Sequence, residues 1–355
     1  MKSMKRKITI AAVGDLLMWK NQVASAYVPG TKRFSFSEQF SPVLPLLKGA
    51  DFTIGNLETT FSGKKQPYQI GSARTGYPRF NCPDELAADL KQAGFDFLTT
   101  ANNHCLDGGP NGLRRTLDVL DHYNLGHTGT YRTKQESIEP FIREVNGFRI
   151  GVLAYTYGTN KQTLPSDVSW MVNRIHAANM KDQVLKLRPH VDLLIVSLHF
   201  GVEFRFEPTL KQRLLVQSIL ECGADIILGA HPHVLQPVTT PMIARDNNGL
   251  LRKTVVAYSL GNFTSERMLE INQTQCGAIL YLTVEMDTAN QTSITQISMI
   301  PTYCQPFLHN GRKSFRVVPL LYYLRNPDQH LTPALRQKLQ LMWGRVTQIV
   351  DKRFL

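Results

Sequence analysis

The feature that most constrains the fold is a pattern that recurs along the chain: a charged residue, a short run rich in Ile, Val, Leu and Phe, then a polar cluster with Gly, Asn or His. It occurs at residues 7–15, 51–58, 96–104, 192–199 and 225–233, and a related segment covers 255–262. The runs have the length of β-strands and are mostly apolar, which is typical of strands buried on both faces. The pattern therefore predicts a sheet covered on both sides.

Helices are expected between these strands, because amphipathic stretches occupy residues 83–93, 112–123, 179–187 and 208–222. Pro83 and Pro208 stand at the expected first helical positions. Strands that alternate with helices predict right-handed β-α-β units and a layered α/β fold.

The rhythm changes after residue 262. Residues 276–286 and 292–302 alternate like half-exposed antiparallel strands, and residues 333–351 have the pattern of a closing helix. We therefore expect a main unit over residues 1–265, with residues 266–355 adding strands and a helix to the same domain.

Composition narrows the class of protein. A chain of 355 residues with 43% hydrophobic composition can bury a large core. The basic start leads directly into the first apolar run without a cleavage site, and no run approaches the roughly 20 residues of a transmembrane helix. Five cysteines without C-x-x-C spacing indicate neither a disulfide framework nor a zinc ribbon. We expect a cytoplasmic protein without a transmembrane segment.

The net charge of +12 favours an anionic partner. The basic residues are spread along the chain, and the sequence has no nucleic-acid-binding signature. An anionic polymer, an acidic peptide or a phosphoester is therefore expected rather than DNA or RNA.

The polar clusters are the candidate site, because ligands of open α/β sheets bind outside the carboxyl ends of the strands. Each cluster residue taken alone has a structural explanation such as a turn or a helix cap, but their joint occurrence favours a shared site. Carboxylate, amide and imidazole together are the ligand set of Mn, Fe, Zn or Mg. The residues expected to converge are Asp15, Asn56, Glu58, Asn102, Asn103, His104, His199, His231 and His233.

These residues lie in motifs that resemble the bacterial CapA family of poly-γ-glutamate capsule biosynthesis. The motifs are GD at 14–15, GNLE at 55–58, ANNH at 101–104, SLH at 197–199 with Glu203, GAHPHV at 229–234 and YSLGNF at 258–263. The resemblance covers roughly residues 8–265. Because the family is related to calcineurin-like metallophosphatases, it implies an α/β four-layer sandwich of two mixed β-sheets flanked by helices.

The resemblance also implies roles for individual residues. His104 matches the histidine that protonates the leaving group, and the matched metal ligands are Asp15, Asn103, His199, His231 and His233. Two positions depart from the phosphatases: Leu17 replaces a histidine, and Asn56 replaces the bridging aspartate. One or two divalent ions are expected, with the half-site of Asn103, His199 and His231 the more complete.

Glu58 is predicted to supply the negative charge that Asn56 lacks, because its longer side chain extends from the loop after the same strand. With Asp15 and His104 it forms the predicted catalytic set. The alternative is that Glu58 caps the following segment through local backbone hydrogen bonds.

Two further segments are predicted to contact substrate. The irregular stretch 59–81 carries Lys64, Lys65, Arg74 and Arg79, which would bind an acidic substrate unless the stretch is only a solvated insertion. Glu203 and Arg205 follow His199; Glu203 could instead orient that histidine or pair with Arg205.

The predicted function is a metal-assisted hydrolase acting on poly-γ-glutamate, a related peptide or a phosphoester. Two alternatives stay open: a non-catalytic polyanion-binding subunit that associates with a capsule synthase, and a metal-independent acid/base enzyme such as a peptide epimerase. Substrate turnover that depends on His231 would separate the enzymes from the binding subunit.

Overall fold

A computed structural model describes residues 6–71, 76–244, 250–309 and 311–355. Along the chain the strands are β1 (Arg6–Leu16), β2 (Tyr27–Val28), β3 (Arg33–Phe34), β4 (Phe52–Leu57), β5 (Gln69–Ile70), β6 (Arg79–Phe80), β7 (Phe97–Thr99), β8 (Gly126–Thr128), β9 (Phe141–Val145), β10 (Phe148–Thr156), β11 (Leu193–His199), β12 (Ile226–Ala230), β13 (Val238–Thr239), β14 (Met242–Ala244), β15 (Leu251–Lys253), β16 (Val255–Ala257), β17 (Asn262–Thr264), β18 (Cys276–Met286), β19 (Thr292–His309) and β20 (Arg312–Pro319). The α-helices are α1 (Lys20–Ser25), α2 (Ser37–Phe40), α3 (Leu44–Lys48), α4 (Glu85–Ala93), α5 (Gly109–His122), α6 (Lys134–Ile138), α7 (Ala177–Leu187), α8 (Leu210–Glu221), α9 (Leu320–Arg325) and α10 (Pro333–Ile349).

The strands form two large mixed sheets. The first has the order β20-β19-β18-β1-β4-β7-β8, with β17 beside the end of β1. Its strands β1, β4, β7 and β8 are parallel, whereas β18, β19 and β20 continue the sheet in antiparallel fashion. The second has the order β13-β16-β12-β11-β10-β9, with β10, β11, β12 and β16 parallel.

Three apolar layers hold these elements together. The core between the sheets contains Ile10 and Phe52 from the first sheet and Ile195 and Ile226 from the second. Residues of α1 to α5 cover the outer face of the first sheet, and residues of α7 and α8 cover that of the second. The result is a helix, sheet, sheet, helix sandwich, which confirms the predicted fold class.

The C-terminal elements join the same layers. Strand β18 pairs with β1 from Arg6↔Met286 to Val13↔Ile279, and Leu339, Met342 and Val346 of α10 pack into the core between the sheets. In the part of the chain that the structure describes, every helix is too short or too polar to span a bilayer.

The predicted starts of two helices were wrong. Pro83 and Pro208 both lie before their helices, because α4 begins at Glu85 and α8 at Leu210. At α8 the cap is Thr209, whose hydroxyl accepts the Gln212 N–H while the Gln212 side chain accepts the Thr209 N–H. This reciprocal capping pair satisfies two otherwise unpaired groups and sets the helix start.

Close backbone packing beside β12 generates a stability prediction. A Cβ atom at Gly229 would lie 2.0 Å from the Tyr258 carbonyl oxygen and 2.8 Å from the Ala257 carbonyl oxygen. Because only a backbone shift relieves that clash, we expect Gly229→Ala to lower the free energy of unfolding by about 3 kcal/mol in urea titrations. Gly344→Ala is the control: nothing lies within 4 Å of its Cβ, and removing a helical glycine should add about 1 kcal/mol. Equal stability of the two variants would contradict this account.

Candidate metal centre

The candidate site forms where the parallel strands of the two sheets end. Asp15 lies near the end of β1, Glu58 follows β4, and Asn103 and His104 follow β7. The second sheet contributes His199, the last residue of β11, and His231 and His233 after β12. All seven side chains are at most 4% exposed. His199 Nε2 from the second sheet lies 2.8 Å from Asn103 Oδ1, which follows a strand of the first.

Glu58 carries a buried charge at the centre of this cluster. Its Oε1 lies 3.4 Å from His199 Nε2 and 3.8 Å from His233 Nε2. Burial alone would raise the pKa of Glu58, but the charges of His233 and His199 outweigh it and hold that pKa at about 2. Glu58 is therefore ionised at neutral pH.

Both Glu58 carboxylate oxygens are buried and accept no hydrogen bond from any residue that the structure describes. The alternative in which Glu58 caps the following segment is therefore not what the structure contains. Buried carboxylates normally have their lone pairs satisfied, so these oxygens are available to a ligand.

Asp15 differs from Glu58 because its oxygens are already engaged. Oδ1 accepts the Asn56 side-chain amide at 2.8 Å, and Oδ2 accepts the His231 backbone N–H at 3.2 Å. Oδ2 also lies 3.3 Å from His233 Nδ1. Asp15 therefore helps to position His231 and His233, and it is also close enough to contact a bound ligand.

His233 is held by oxygen atoms around its ring. Its Nδ1 lies 3.0 Å from Asn262 Oδ1, and the Asn262 amide donates to the Thr274 carbonyl oxygen at 2.8 Å, which fixes the side-chain oxygen towards the ring. Burial would lower the pKa of His233, but Glu58 and Asp15 outweigh it and raise that pKa to about 10.

The pKa of His231 is shifted in the opposite direction to that of His233. Burial and the nearby charges of His199 and His233 hold its pKa well below the usual histidine value, so the imidazole is neutral, which is the metal-binding form. Its Nδ1 is buried without a hydrogen-bond partner within the described residues.

The backbone at these two histidines is also unusual. φ is 97° at His231 and 57° at His233, in the left-handed region that residues other than glycine rarely occupy. Such conformations persist where surrounding contacts hold them and are concentrated at functional sites.

Potential metal-binding atoms cluster in two overlapping groups. Glu58, His231 and His233 form one, and Asp15, Glu58 and His199 form the other; within each, the ligand atoms lie within 4.8 Å of one another. The unpartnered Glu58 oxygens and His231 Nδ1 are buried polar atoms that a divalent cation would satisfy. The residues present therefore fit a metal, with Glu58 common to both groups.

His104 lies beside this cluster with its own carboxylate. Its Nδ1 is 2.7 Å from Asp107 Oδ2, which also accepts the Phe80 N–H at 2.6 Å. The ring packs edge-on against Phe80 at 4.8 Å, and Nε2 lies 3.4 Å from the Asn160 amide nitrogen. Burial would lower the pKa of His104, but Asp107 outweighs it and raises that pKa. The imidazole is thus oriented and its protonated form is stabilised.

Several site residues were missed by the sequence analysis. Tyr157 follows β10; its ring lies 4.5 Å from that of His231 and is nearly parallel to that of His199. Asn160 Oδ1 accepts the Asn103 side-chain amide at 3.1 Å, and the Asn160 amide nitrogen lies 3.4 Å from His104 Nε2. Asp107 and Asn262 contact His104 and His233. Tyr157 and Asn160 could have been found from the sequence, because β10 is another apolar run that ends in a polar cluster, TYGTN at 156–160.

The predicted substrate-binding residues have different surroundings. Lys64 and Lys65 are exposed, whereas Arg79 is half-buried on β6, next to the Phe80 that packs on His104. Arg74 lies outside the described residues.

Glu203 and Arg205 occupy the turn after β11. Glu203 is half-buried and Arg205 exposed, and no ion pair or hydrogen bond joins their side chains. The predicted alternative in which these two residues pair is therefore not found.

Solved structures define the class of fold. The chain is similar to the calcineurin-like phosphoesterase YfkN from Bacillus subtilis, at 12% identity and a TM-score of 0.50 over 97% of this chain and 99% of that one. It is also similar to a putative 5′-nucleotidase from Staphylococcus aureus, at 14% identity and a TM-score of 0.50 over 95% of this chain and 58% of that one. The fold is thus that of the calcineurin-like metallophosphatases.

Within that class the chain belongs to the family of the bacterial capsule synthesis protein PGA_cap, whose pattern it matches over residues 9–267. Relatives include the capsule biosynthesis protein CapA of Bacillus anthracis, 28% identical over 74% of this chain and 60% of that protein. The PGA biosynthesis protein CapA of Bacillus subtilis is 29% identical over 73% of this chain and 64% of that protein. This chain therefore spans less than two thirds of the length of both relatives.

The two clusters of potential ligand atoms lead us to predict that the protein binds metal. We expect about one divalent transition metal per chain, because the cluster offers imidazole and carboxylate ligands around a buried negative charge. His231→Ala should lose the ion, and Glu58→Gln should bind it at least tenfold more weakly because it removes charge while keeping size, about 1.4 kcal/mol or more. Elemental analysis and titration with Mn, Fe or Zn would measure both.

Controls separate ligand loss from general damage. His190→Ala and Glu139→Gln change exposed residues of the same types and should bind metal like the wild type. The assignment would be refuted if the wild-type protein contained no metal after reconstitution. It would also be refuted if a folded Glu58→Gln variant bound metal with wild-type affinity.

Proposed function

We propose that this chain is a metal-assisted hydrolase acting on poly-γ-glutamate or a related acidic peptide. The observation that carries the proposal is the buried Glu58 carboxylate, ionised and without a hydrogen bond from the described residues, among His199, His231 and His233. Structural sites rarely retain buried carboxylate oxygens without a hydrogen bond, whereas perturbed groups of this kind concentrate at active sites.

The metal would be held by Glu58 together with Asp15, His199, His231 and His233, and His233 would release a ring proton as the ion binds. A divalent ion there would supply Lewis-acid polarisation of the bond under attack. Asn103 would keep His199 in place, because its side-chain oxygen lies 2.8 Å from His199 Nε2.

His104 would be the general acid. Asp107 binds Nδ1 and stabilises the protonated ring, so the proton on Nε2, beside the Asn160 amide, would be the one that His104 donates. In peptide hydrolysis the water hydroxyl bonds to the acyl carbon, and the C–N electron pair stays with the leaving nitrogen. That nitrogen takes the His104 proton, and the proton lost by water restores His104.

Two observations favour an acidic substrate. The net charge is +12, and the exposed Lys64 and Lys65 with the half-buried Arg79 lie in the segment between Glu58 and the Phe80 contact to His104. The names of the relatives also connect them with capsule and PGA biosynthesis. Phosphoesters are the other anionic substrates that this class of fold would suit.

Turnover by metal-loaded protein tests the proposal. We expect release of free amino groups from γ-linked glutamate oligomers, reduced by about 10²–10⁴ in His104→Gln because the proton donor is lost. The variant should retain metal, since His104 belongs to neither ligand cluster. A phosphoester panel runs in parallel. Tight oligomer binding without turnover of either class would favour the non-catalytic accessory subunit instead.

The segment 59–81 generates a binding prediction. Exchanging its four cations for glutamine should weaken binding of poly-γ-glutamate and flatten its salt dependence, because screening acts on the charges removed. Fluorescence anisotropy between about 0.05 and 0.5 M salt would measure both effects. The four residues exchanged are Lys64, Lys65, Arg74 and Arg79.

The matched control removes four exposed lysines from other segments of the chain. Its affinity should fall less, since long-range attraction is screened beyond about 10 Å at 0.1 M salt. Equal losses in the two quadruple variants would show that net charge alone decides binding. The control residues are Lys48, Lys134, Lys253 and Lys352.

A further inference from the structure

The turn after β10 connects the metal cluster with the proposed general acid. Asn160 lies in this turn and is buried, with 7% of its surface exposed. Its Oδ1 accepts the Asn103 side-chain amide at 3.1 Å, and its Nδ2 lies 3.4 Å from His104 Nε2. Asn103 Oδ1 in turn lies 2.8 Å from His199 Nε2. Asn160 therefore belongs to a row of contacts that runs from a candidate metal ligand to His104.

Both ends of the turn are attached to the site. The Tyr157 N–H donates to the His199 carbonyl oxygen at 3.0 Å, and the Gln162 side-chain amide donates to Asp107 Oδ1 at 3.3 Å. Between them the Thr159 hydroxyl donates to the Gln162 carbonyl oxygen at 2.5 Å. The turn is thus anchored to the metal cluster through the backbone of His199 and to the acid through Asp107.

The backbone of the turn favours an asparagine at this position. φ is 47° at Asn160 and 61° at Lys161, in the left-handed region. Asparagine enters that region more readily than most residues other than glycine, and its side-chain oxygen can accept an amide N–H. A glycine would keep the turn but lose both side-chain contacts.

The contact with Asn160 determines which end of the Asn103 amide faces the metal cluster. Because Asn160 Oδ1 takes the Asn103 nitrogen, the Asn103 oxygen is the end that faces His199. An amide turned the other way would present its nitrogen, which is no ligand for a cation. Removal of groups that orient a metal site in this way typically costs about 10–100-fold in metal affinity.

We propose that Asn160 is a positioning residue that orients Asn103 towards the metal cluster and holds His104 in place beside it. The role towards Asn103 requires only that the site binds metal, whereas the role towards His104 rests on the hydrolase function proposed above. The turn then sets the distance between the ion and the proton donor. Loss of the Asn160 side chain should therefore affect both metal affinity and turnover.

Metal titration of two variants tests the role towards Asn103. In Asn160→Gly the turn should persist, because glycine adopts the left-handed backbone freely, while both contacts are lost. We expect Mn and Zn to bind this variant at least about tenfold more weakly than the wild type. Asn160→Asp keeps an acceptor oxygen for the Asn103 amide and should bind both ions at least as tightly as the wild type.

The matched control is Asn124→Gly. Asn124 also has a left-handed backbone, with φ of 53°, but it is exposed beyond the end of α5. This variant should bind both ions like the wild type. Wild-type affinity in Asn160→Gly, an equal loss in Asn124→Gly, or weak binding by a folded Asn160→Asp variant would overturn the proposal. A wild type that binds neither ion would overturn it as well.

Turnover at saturating metal tests the role towards His104. With γ-linked glutamate oligomers we expect kcat of Asn160→Gly to fall about 10–100-fold while KM stays near the wild-type value, because a misplaced catalytic group slows the chemical step. An unchanged kcat would overturn this role. Absence of turnover by the metal-loaded wild type would remove the hydrolase and with it the role towards His104, and the Mn and Zn affinities would still decide the role towards Asn103.

Discussion

A buried carboxylate has to be neutralised, and the organisation of this site follows from that requirement. An unpaired ionised group in the interior costs several kcal/mol, so Glu58 needs positive partners. His233 after β12, on the opposite sheet, is one such partner, and His199 after β11 places its Nε2 3.4 Å from Glu58 Oε1. The electrostatics of the site therefore depend on the packing of the two sheets, and the core between them sets the distances.

Asn56 and Leu17 are the two residues that depart from the phosphatase pattern expected from the resemblance, and the structure shows what each contributes to the site. The Asn56 side-chain nitrogen donates to Asp15 Oδ1 at 2.8 Å and lies 3.2 Å from His199 Nδ1, so an amide connects a residue of the first sheet with one of the second. Leu17 is buried, and its side chain offers no ligand atom. Of the two carboxylates in the ligand clusters, Glu58 is the one common to both.

Much of the fold could be predicted because buried parallel strands leave a strong signal. The apolar runs at residues 192–199 and 225–233 contain β11 and β12, and the polar ends did converge. β10 was overlooked although its run ends in the same kind of cluster, and Tyr157 and Asn160 were missed with it. The start of α8 was misplaced because Pro208 gave a stronger sequence signal than the Thr209 cap.

The sequence by itself determined which residue types follow each strand, and the topology of parallel strands then required them to share one edge. Only the tertiary structure decided their individual roles. Asp15 and Glu58 are both carboxylates after strands, yet Asp15 has its oxygens hydrogen-bonded and Glu58 does not. Likewise His231 is neutral and His233 charged, though one residue separates them. These differences arise from burial and from neighbours on other strands, such as Asn56 and His231 beside Asp15, which local sequence does not encode.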